Sequence, residues 1–266
     1  LQNNTTANFN TAVGYLAGRS ANGADGLVFL GSYAGRDTTT GSSGTAIGHA
    51  ALISNTTGSS NTALGYQALQ ANTTASNNTA VGFQAGYSNT TGTQNSYFGY
   101  QSGYNNALGN YNVGFGYYTL QANTGSYNAA SGYYAMASNT TGNYNTAFGG
   151  QALQNNTTTS NNTAVGYQAG YNSTASGNIF IGFQAGYGGA GNITGGGNLC
   201  VGIQAGYNLT SGIYNTFIGG SSGTGAAGFY ITTGSNNTIL GGYNGNQGGL
   251  DIRTASNYIV LSDGDG

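Results

Sequence analysis

The side chains able to act as acids, bases or nucleophiles in this 266-residue chain are His49, Arg19, Arg36, Arg253, Asp25, Asp37, Asp251, Asp263 and Asp265, with Cys200 and the tyrosines. Lysine and glutamate are absent. Nucleophilic catalysis needs a base within reach of the nucleophile and a third group to orient that base. No spacing here supplies such a set, so neither an enzyme nor a cofactor is expected. Asp263 and Asp265 are candidate metal ligands, offering hard oxygens to a cation such as Ca²⁺, but two carboxylates fall far short of the roughly six to eight oxygens that ion takes. Gly195-Gly196-Gly197 lacks the following lysine and helix of a phosphate loop. Three arginines cannot build the basic patch that nucleic acid requires. With no run of eighteen apolar residues, no membrane insertion is expected. Cys200 is a lone cysteine, which excludes an intrachain disulfide and reads as a small buried hydrophobe.

Asparagine offers a different chemistry. Asn4, Asn55, Asn72, Asn89, Asn139 and Asn156 each open an Asn-Thr-Thr string, an N-x-[ST] glycan acceptor. With Asn3, Asn77, Asn155, Asn161, Asn172, Asn192, Asn208 and Asn236 the chain holds fourteen such acceptors. Asn and Thr are also ordinary turn residues, which produces the same strings without any sugar. Glycans on consecutive repeats would sit only about 5 Å apart, which crowds any sizeable one.

These residues recur because the whole chain recurs. Glycine stands at Gly14, Gly31, Gly48, Gly65, Gly82, Gly99, Gly116, Gly132, Gly149, Gly166, Gly182, Gly202, Gly219 and Gly241, and nine of the thirteen intervals are 17 residues. So short a period makes each repeat one turn of a solenoid stabilised by its neighbours. A large apolar residue precedes the glycine in all but one repeat, as at Val13, Ile47, Leu64, Phe98, Phe148, Ile181 and Leu240, and a small residue follows three places later, as at Ala17, Ala68, Ala85 and Ser222. Read as an extended strand, these positions and the aromatic after the glycine share one face, which is expected to be buried. His49 stands in that aromatic column as a substituted ring.

Four places before the glycine stands asparagine, at Asn10, Asn61, Asn78, Asn95, Asn112, Asn128, Asn145, Asn162, Asn178, Asn198, Asn215 and Asn237. In register, such a column can hydrogen-bond from coil to coil as a stacked amide ladder and so fix the register.

The expected fold is an all-β parallel β-solenoid, a left-handed β-roll of about 14 coils with two short strands per coil. Coils rising by roughly 4.8 Å would give a rod on the order of 65 Å long. Residues 1-182 form the regular array, and 183-266 continue it with longer loops and a C-terminal segment. The alternative is a three-sided left-handed β-helix of hexapeptides. Val13 to Gly18 fits one such unit, but the other two units per coil are missing. The small-residue column points to a second surface packing closely, so homo-oligomerisation is expected. Leu1 to Ala12 repeats the phase of Leu69 to Ala80, which places Leu1 partway through a coil. With no signal-peptide pattern either, this reads as a fragment or processed product, and its uncapped first coil as an invitation to end-to-end stacking.

The strings NTAVGYLAG, NTALGYQAL, NTAVGFQAG, NTAFGGQAL and NTAVGYQAG, carried by Asn10, Val13, Gly14, Ala17 and their copies, resemble the head repeats of trimeric autotransporter adhesins. They are also similar to tail-fibre repeats found upstream of endosialidase-type intramolecular chaperone domains. The resemblance covers nearly the whole chain and implies a homotrimer at a cell surface or on a virion. The segment Ser256 to Gly266 looks like the one leading toward such a chaperone.

The expected function is therefore structural: the subunit of an extracellular fibre or self-assembling filament. An adhesin or receptor-binding head would instead use Tyr15, Tyr66, Phe83, Tyr100, Tyr117, Tyr133, Tyr167 and Phe183 to stack on surface glycans. An ice-binding solenoid would need regular Thr-x-Thr rows, and the threonines here are adjacent and irregular. The loops at 186-198 and 219-237, where the period stretches, are the expected place for a specific partner.

Overall fold

The computed structural model describes residues 1-221 and 223-263; Ser222, Gly264, Asp265 and Gly266 lie outside them. The chain is an all-β parallel solenoid that divides into two compact units, Leu1–Ala129 and Ala130–Gly266. In the first unit β1 (Thr11–Val13), β2 (Val28–Leu30), β3 (Thr45–Ile47), β4 (Thr62–Leu64), β5 (Thr79–Val81), β6 (Ser96–Phe98) and β7 (Val113–Phe115) pair in chain order. Every one of these pairings is parallel and in register. After β8 (Ala129–Ser131), the second unit continues through β9 (Thr146–Phe148), β10 (Thr163–Val165), β11 (Ile179–Ile181), β12 (Leu199–Val201), β13 (Thr216–Ile218) and β14 (Thr238–Leu240). A small antiparallel hairpin, β15 (Asn246–Gln247) and β16 (Leu250–Asp251), follows, and then β17 (Ile259–Leu261) pairs parallel with β14. This last coil escapes the glycine count because Ser262 stands in the glycine position and Tyr258 in the asparagine position.

Each coil contains one strand, not two. The glycine that ends the strand has φ between +130° and +142° from Gly14 to Gly219. After it, left-handed residues alternate with right-handed ones, as at Gln67 (φ +56°) and Leu69 (φ +49°), or Gln84 (φ +52°) and Gly86 (φ +60°). That alternation cannot pleat, yet it keeps the backbone satisfied. Gln84 N–H donates to Tyr66 O in one neighbouring coil (2.9 Å), Ala85 N–H closes a turn onto Gly82 O (3.4 Å), and Gly86 N–H donates to Ser102 O in the other neighbour (2.9 Å).

The inside and outside of the strand are reversed from the expectation. The buried column lies two places before the glycine, at Phe29, Ala46, Ala63, Ala80, Tyr97, Ala147, Ala164, Phe180, Cys200, Phe217 and Ile239. Val13, Leu64, Phe148, Ile181 and Leu240 point outward and are exposed. The small column at Ala17, Ala68 and Ala85 is buried as expected, but on the face opposite to those aliphatics. The glycine between them, with φ near +135°, breaks the period-two alternation that placed all of them together.

Core volume is shared between two columns. Where the residue two before the glycine is Ala, the one four after it is often large: Ala46 with Leu52, Ala63 with Leu69, Ala130 with Met136, Ala147 with Leu153. Where the first is Phe or Tyr, the second is glycine: Phe29 with Gly35, Tyr97 with Gly103, Phe180 with Gly186; in the 22-residue coil Gly228, further along the chain, takes that place beside Phe217. A Cβ on Gly186 would overlap the Phe180 ring, 2.8 Å from its Cγ. Close packing makes such pairs behave as units. Phe180→Ala alone is expected to cost about 3–5 kcal/mol. Adding Gly186→Leu should restore more than half of that, since Leu52, Leu69 and Leu153 hold the same left-handed backbone in their own coils. Denaturant midpoints of the single and double variants measure the coupling, and additive losses would contradict the pairing.

Candidate functional site

The titratable groups are scattered. Among the described residues no three of His, Cys, Asp and Glu come together to hold a metal. Asp263 borders a shallow hollow with Tyr243 and Gln247, while Asp265 lies outside the described residues. The His49 ring stacks on Tyr66 (centroids 5.4 Å apart) and meets Tyr33 edge-on (5.8 Å), as a member of an aromatic row. Asp25 accepts the Asn8 backbone N–H (2.7 Å). Arg19 and Arg36 both reach Asp37, and the Arg36 hydrogen bond holds the Asp37 carboxyl below the usual carboxylate range. Its folded-state value is lowered, so any stabilisation from it is present above the unfolded-state value and is lost as pH falls through the folded one. Cys200 is fully buried, and burial pushes its thiol up. It is expected to stay inert to a thiol reagent such as Ellman's until the chain unfolds; rapid labelling of the native protein would contradict its place in the core.

The asparagine column before each strand is the most heavily bonded feature. From Asn61 to Asn237 its members are buried. Asn78 Oδ1 accepts the backbone N–H of Asn95 (2.9 Å), and Asn78 Nδ2 donates to Gly92 O in the next coil's turn (2.9 Å). Asn95, Asn112, Asn198 and Asn215 repeat both bonds. At the chain's beginning the half-buried Asn10 does the same to Leu27 N–H and Ala24 O. Each side chain thus stitches the backbone of the next coil, and the amide-to-amide bonding that the sequence suggested joins Asn198 to Asn178 (3.2 Å) and Asn215 to Asn198 (3.0 Å).

A second asparagine column also carries an amide-on-amide ladder. Asn72 Nδ2 donates to Asn55 Oδ1 (2.9 Å) and Asn89 Nδ2 to Asn72 Oδ1 (3.0 Å). Each Nδ2 also donates to a carbonyl in its own turn, Asn72 to Ala75 O and Asn89 to Gly92 O. Asn139 and Asn156 are buried alike and bond within their turns. Asn55, Asn72, Asn89, Asn139 and Asn156 are five of the six asparagines offered as possible glycan acceptors. The nitrogen that a sugar would occupy is inside the coil and already donating. Asn4, half-buried, donates to Ala7 O. A second ladder, not anticipated, runs through the glutamines two after the glycine: Gln84 to Gln67 (2.8 Å), Gln101 to Gln84 (2.7 Å), Gln184 to Gln168 (2.8 Å). The recurring Gln in the consensus was its only signal.

Three columns face outward on the strand side: the residue before the glycine, the one after it, and the one three before. In the first unit, Leu64, Tyr66, Phe83, Tyr100, Phe115 and Tyr117 are each about 39–44% exposed. In the second, Phe148, Val165, Tyr167, Ile181, Phe183 and Ile218 fall in a similar range, 39–49%. His49, Tyr66, Phe83, Tyr100 and Tyr117 stack with centroids 5.0–5.4 Å apart and planes within 15°. Their faces cover one another, so the row presents ring edges. Sugars pack on ring faces, which makes the interior of this row a poor glycan platform. The turn threonines are also engaged, with Thr56 Oγ1 donating to Thr73 O (3.0 Å) and Thr73 Oγ1 to Thr90 O (3.2 Å). Those hydroxyls are not a free lattice for ice.

Among the described residues no helix is long and apolar enough to cross a membrane. Comparison with protein-family models, with curated proteins and with solved structures gave no match.

Proposed function

We propose that this chain is a non-enzymatic structural protein, the subunit of an extracellular fibre in which copies pack side by side through the outward strand face, in the trimeric arrangement that the repeat resemblance implies. The observation that carries this is the exposed apolar face. Six large side chains of the first unit, each about two-fifths exposed, leave on the order of 500 Å² of apolar surface open. That is at the size of the largest patch a typical monomer carries, about 300–600 Å², and such patches are often functional. Parallel copies related by a closed rotation would bring each coil against its own counterparts and cover the face in register. Near absence of charge suits such a face, since few groups need water. Sugars, if attached, have exposed acceptors only off this core, at Asn3, Asn77, Asn161, Asn192 and Asn236.

Electron microscopy of the native material tests the reading: fibres or uniform multi-chain rods are expected, and single 26.6 kDa particles would oppose it. A variant sharpens the test. Phe83→Glu places a charge on the outward face without touching the core and is expected to dissociate the assembly while the coils stay folded. Unchanged association of that variant would move the interface elsewhere.

A further inference from the structure

The solenoid's longest coils, where the glycine interval stretches to 20 and 22 residues, build a feature that the regular coils lack. In the second unit Asn208, Tyr230, Thr232, Asp251 and Arg253 line a hollow of about 360 Å³, within the size range of small-molecule sites. None of them belongs to the three outward columns, so packing of copies through that face leaves the hollow open.

Its chemistry is specific. The chain carries only eight acidic and basic residues, and two of them meet here. Arg253 Nε donates to Asp251 Oδ1 (2.9 Å) and Nη2 to Asp251 Oδ2 (2.7 Å), a two-point fork that fixes both side chains; the Arg253 backbone N–H adds a third bond (3.1 Å). The pair has no net charge, so it offers no Coulombic preference to an anion or a cation. It still presents donors on the free guanidinium nitrogen beside acceptor lone pairs on the carboxylate. Adjacent hydroxyls on a carbon ring match that array, one accepting from the guanidinium and the next donating to the carboxylate. Tyr230, partly exposed and braced edge-to-face by Phe229 (5.0 Å), supplies an apolar wall for the ring's C–H groups. Asn208 and Thr232 add neutral polar groups at the rim.

We propose that this hollow binds a neutral sugar ring bearing vicinal hydroxyls. The site stands independently of whether the chain is a fibre subunit. It places glycan recognition at one hollow built by the long loops and not along the aromatic row.

Saturation-transfer NMR on the full chain tests it, with methyl α-mannoside, methyl β-galactoside, methyl β-glucoside and methyl α-rhamnoside as probes. At least one is expected to receive saturation, with a dissociation constant on the order of 1 mM. Tyr230→Ala and Arg253→Lys should each weaken it about tenfold or more, the lysine keeping the charge but losing the fork. Tyr66→Ala, in the aromatic row, should leave it unchanged. Far-UV circular dichroism confirms that each variant is folded. Absence of transfer to all four probes overturns the proposal, as does binding that survives both hollow variants or is lost with Tyr66→Ala.

Discussion

Gly82→Ala is expected to unfold its coil. Gly82 has φ +138°, a backbone conformation open to glycine alone, and a Cβ there would lie 2.7 Å from the carbonyl carbon of Gly99 in the next coil. The obstacle is backbone held by the parallel ladder, so it cannot swing away as a side chain would. Conformational strain and overlap together should cost on the order of 4 kcal/mol or more, among the largest single-site effects proteins show. Gly26→Ala is the matched control: its φ is +69°, but the nearest atoms a Cβ would meet are 3.9 Å away. That change should cost only about 1–2 kcal/mol, the usual penalty for a left-handed residue with a side chain. Denaturant titration of both separates strain from steric conflict. Equal, small shifts would mean that the glycine column is not what sets the spacing of the coils.

Loss of an asparagine from the buried column is the second large effect. Asn78→Ala removes the acceptor for Asn95 N–H, which is left buried and unpaired, and one of the two donors to Gly92 O, which keeps Asn89 Nδ2. The orphaned N–H costs about 1–3 kcal/mol and the lost bond to Gly92 O about 0.5–1.5 kcal/mol, so a loss of about 2–4 kcal/mol is expected. Asn78→Asp distinguishes this account from simple packing. The shape is kept and the acceptor remains, but the carboxylate is buried against the Gly92 carbonyl. Burial raises its folded-state pKa above the unfolded value. The stability of this variant is then fullest below the unfolded-state pKa and falls as pH rises through the folded-state one. Melting temperatures across pH should therefore drop toward neutral pH for Asn78→Asp and stay level there for Asn78→Ala.

The period, the parallel register and the strand ahead of each glycine were legible because they rest on repetition, and repetition needs no knowledge of which side is in; the second strand expected in each coil is absent. The face assignment was not legible. In Thr79-Ala80-Val81 the sequence offers a small residue between two larger ones, and hydrophobicity alone places Val81 inside. The structure places Ala80 inside because the cavity is already filled by Leu69 and Tyr97 from the adjoining coils, a contact that no single repeat reveals. The two asparagine columns show the same limit. Asn78 read as a ladder amide and Asn72 as a turn residue or glycan acceptor, whereas the fold has Asn72 bonding amide to amide and Asn78 bonding amide to backbone. The hollow around Tyr230, Asp251 and Arg253 was foreshadowed by the stretched period alone, since its charged pair comes from the short hairpin region, more than a dozen residues beyond the loops that drew notice.

The central claim is that the outward strand face is an interface between copies of this chain. Sedimentation equilibrium of the intact protein at micromolar concentration tests it most directly. The account predicts a mass of about three times 26.6 kDa, or a larger polymer of that unit, falling to 26.6 kDa in Phe83→Glu. A wild-type protein that sediments at 26.6 kDa throughout would show that its exposed apolar columns are stable in water on their own, and would contradict the claim.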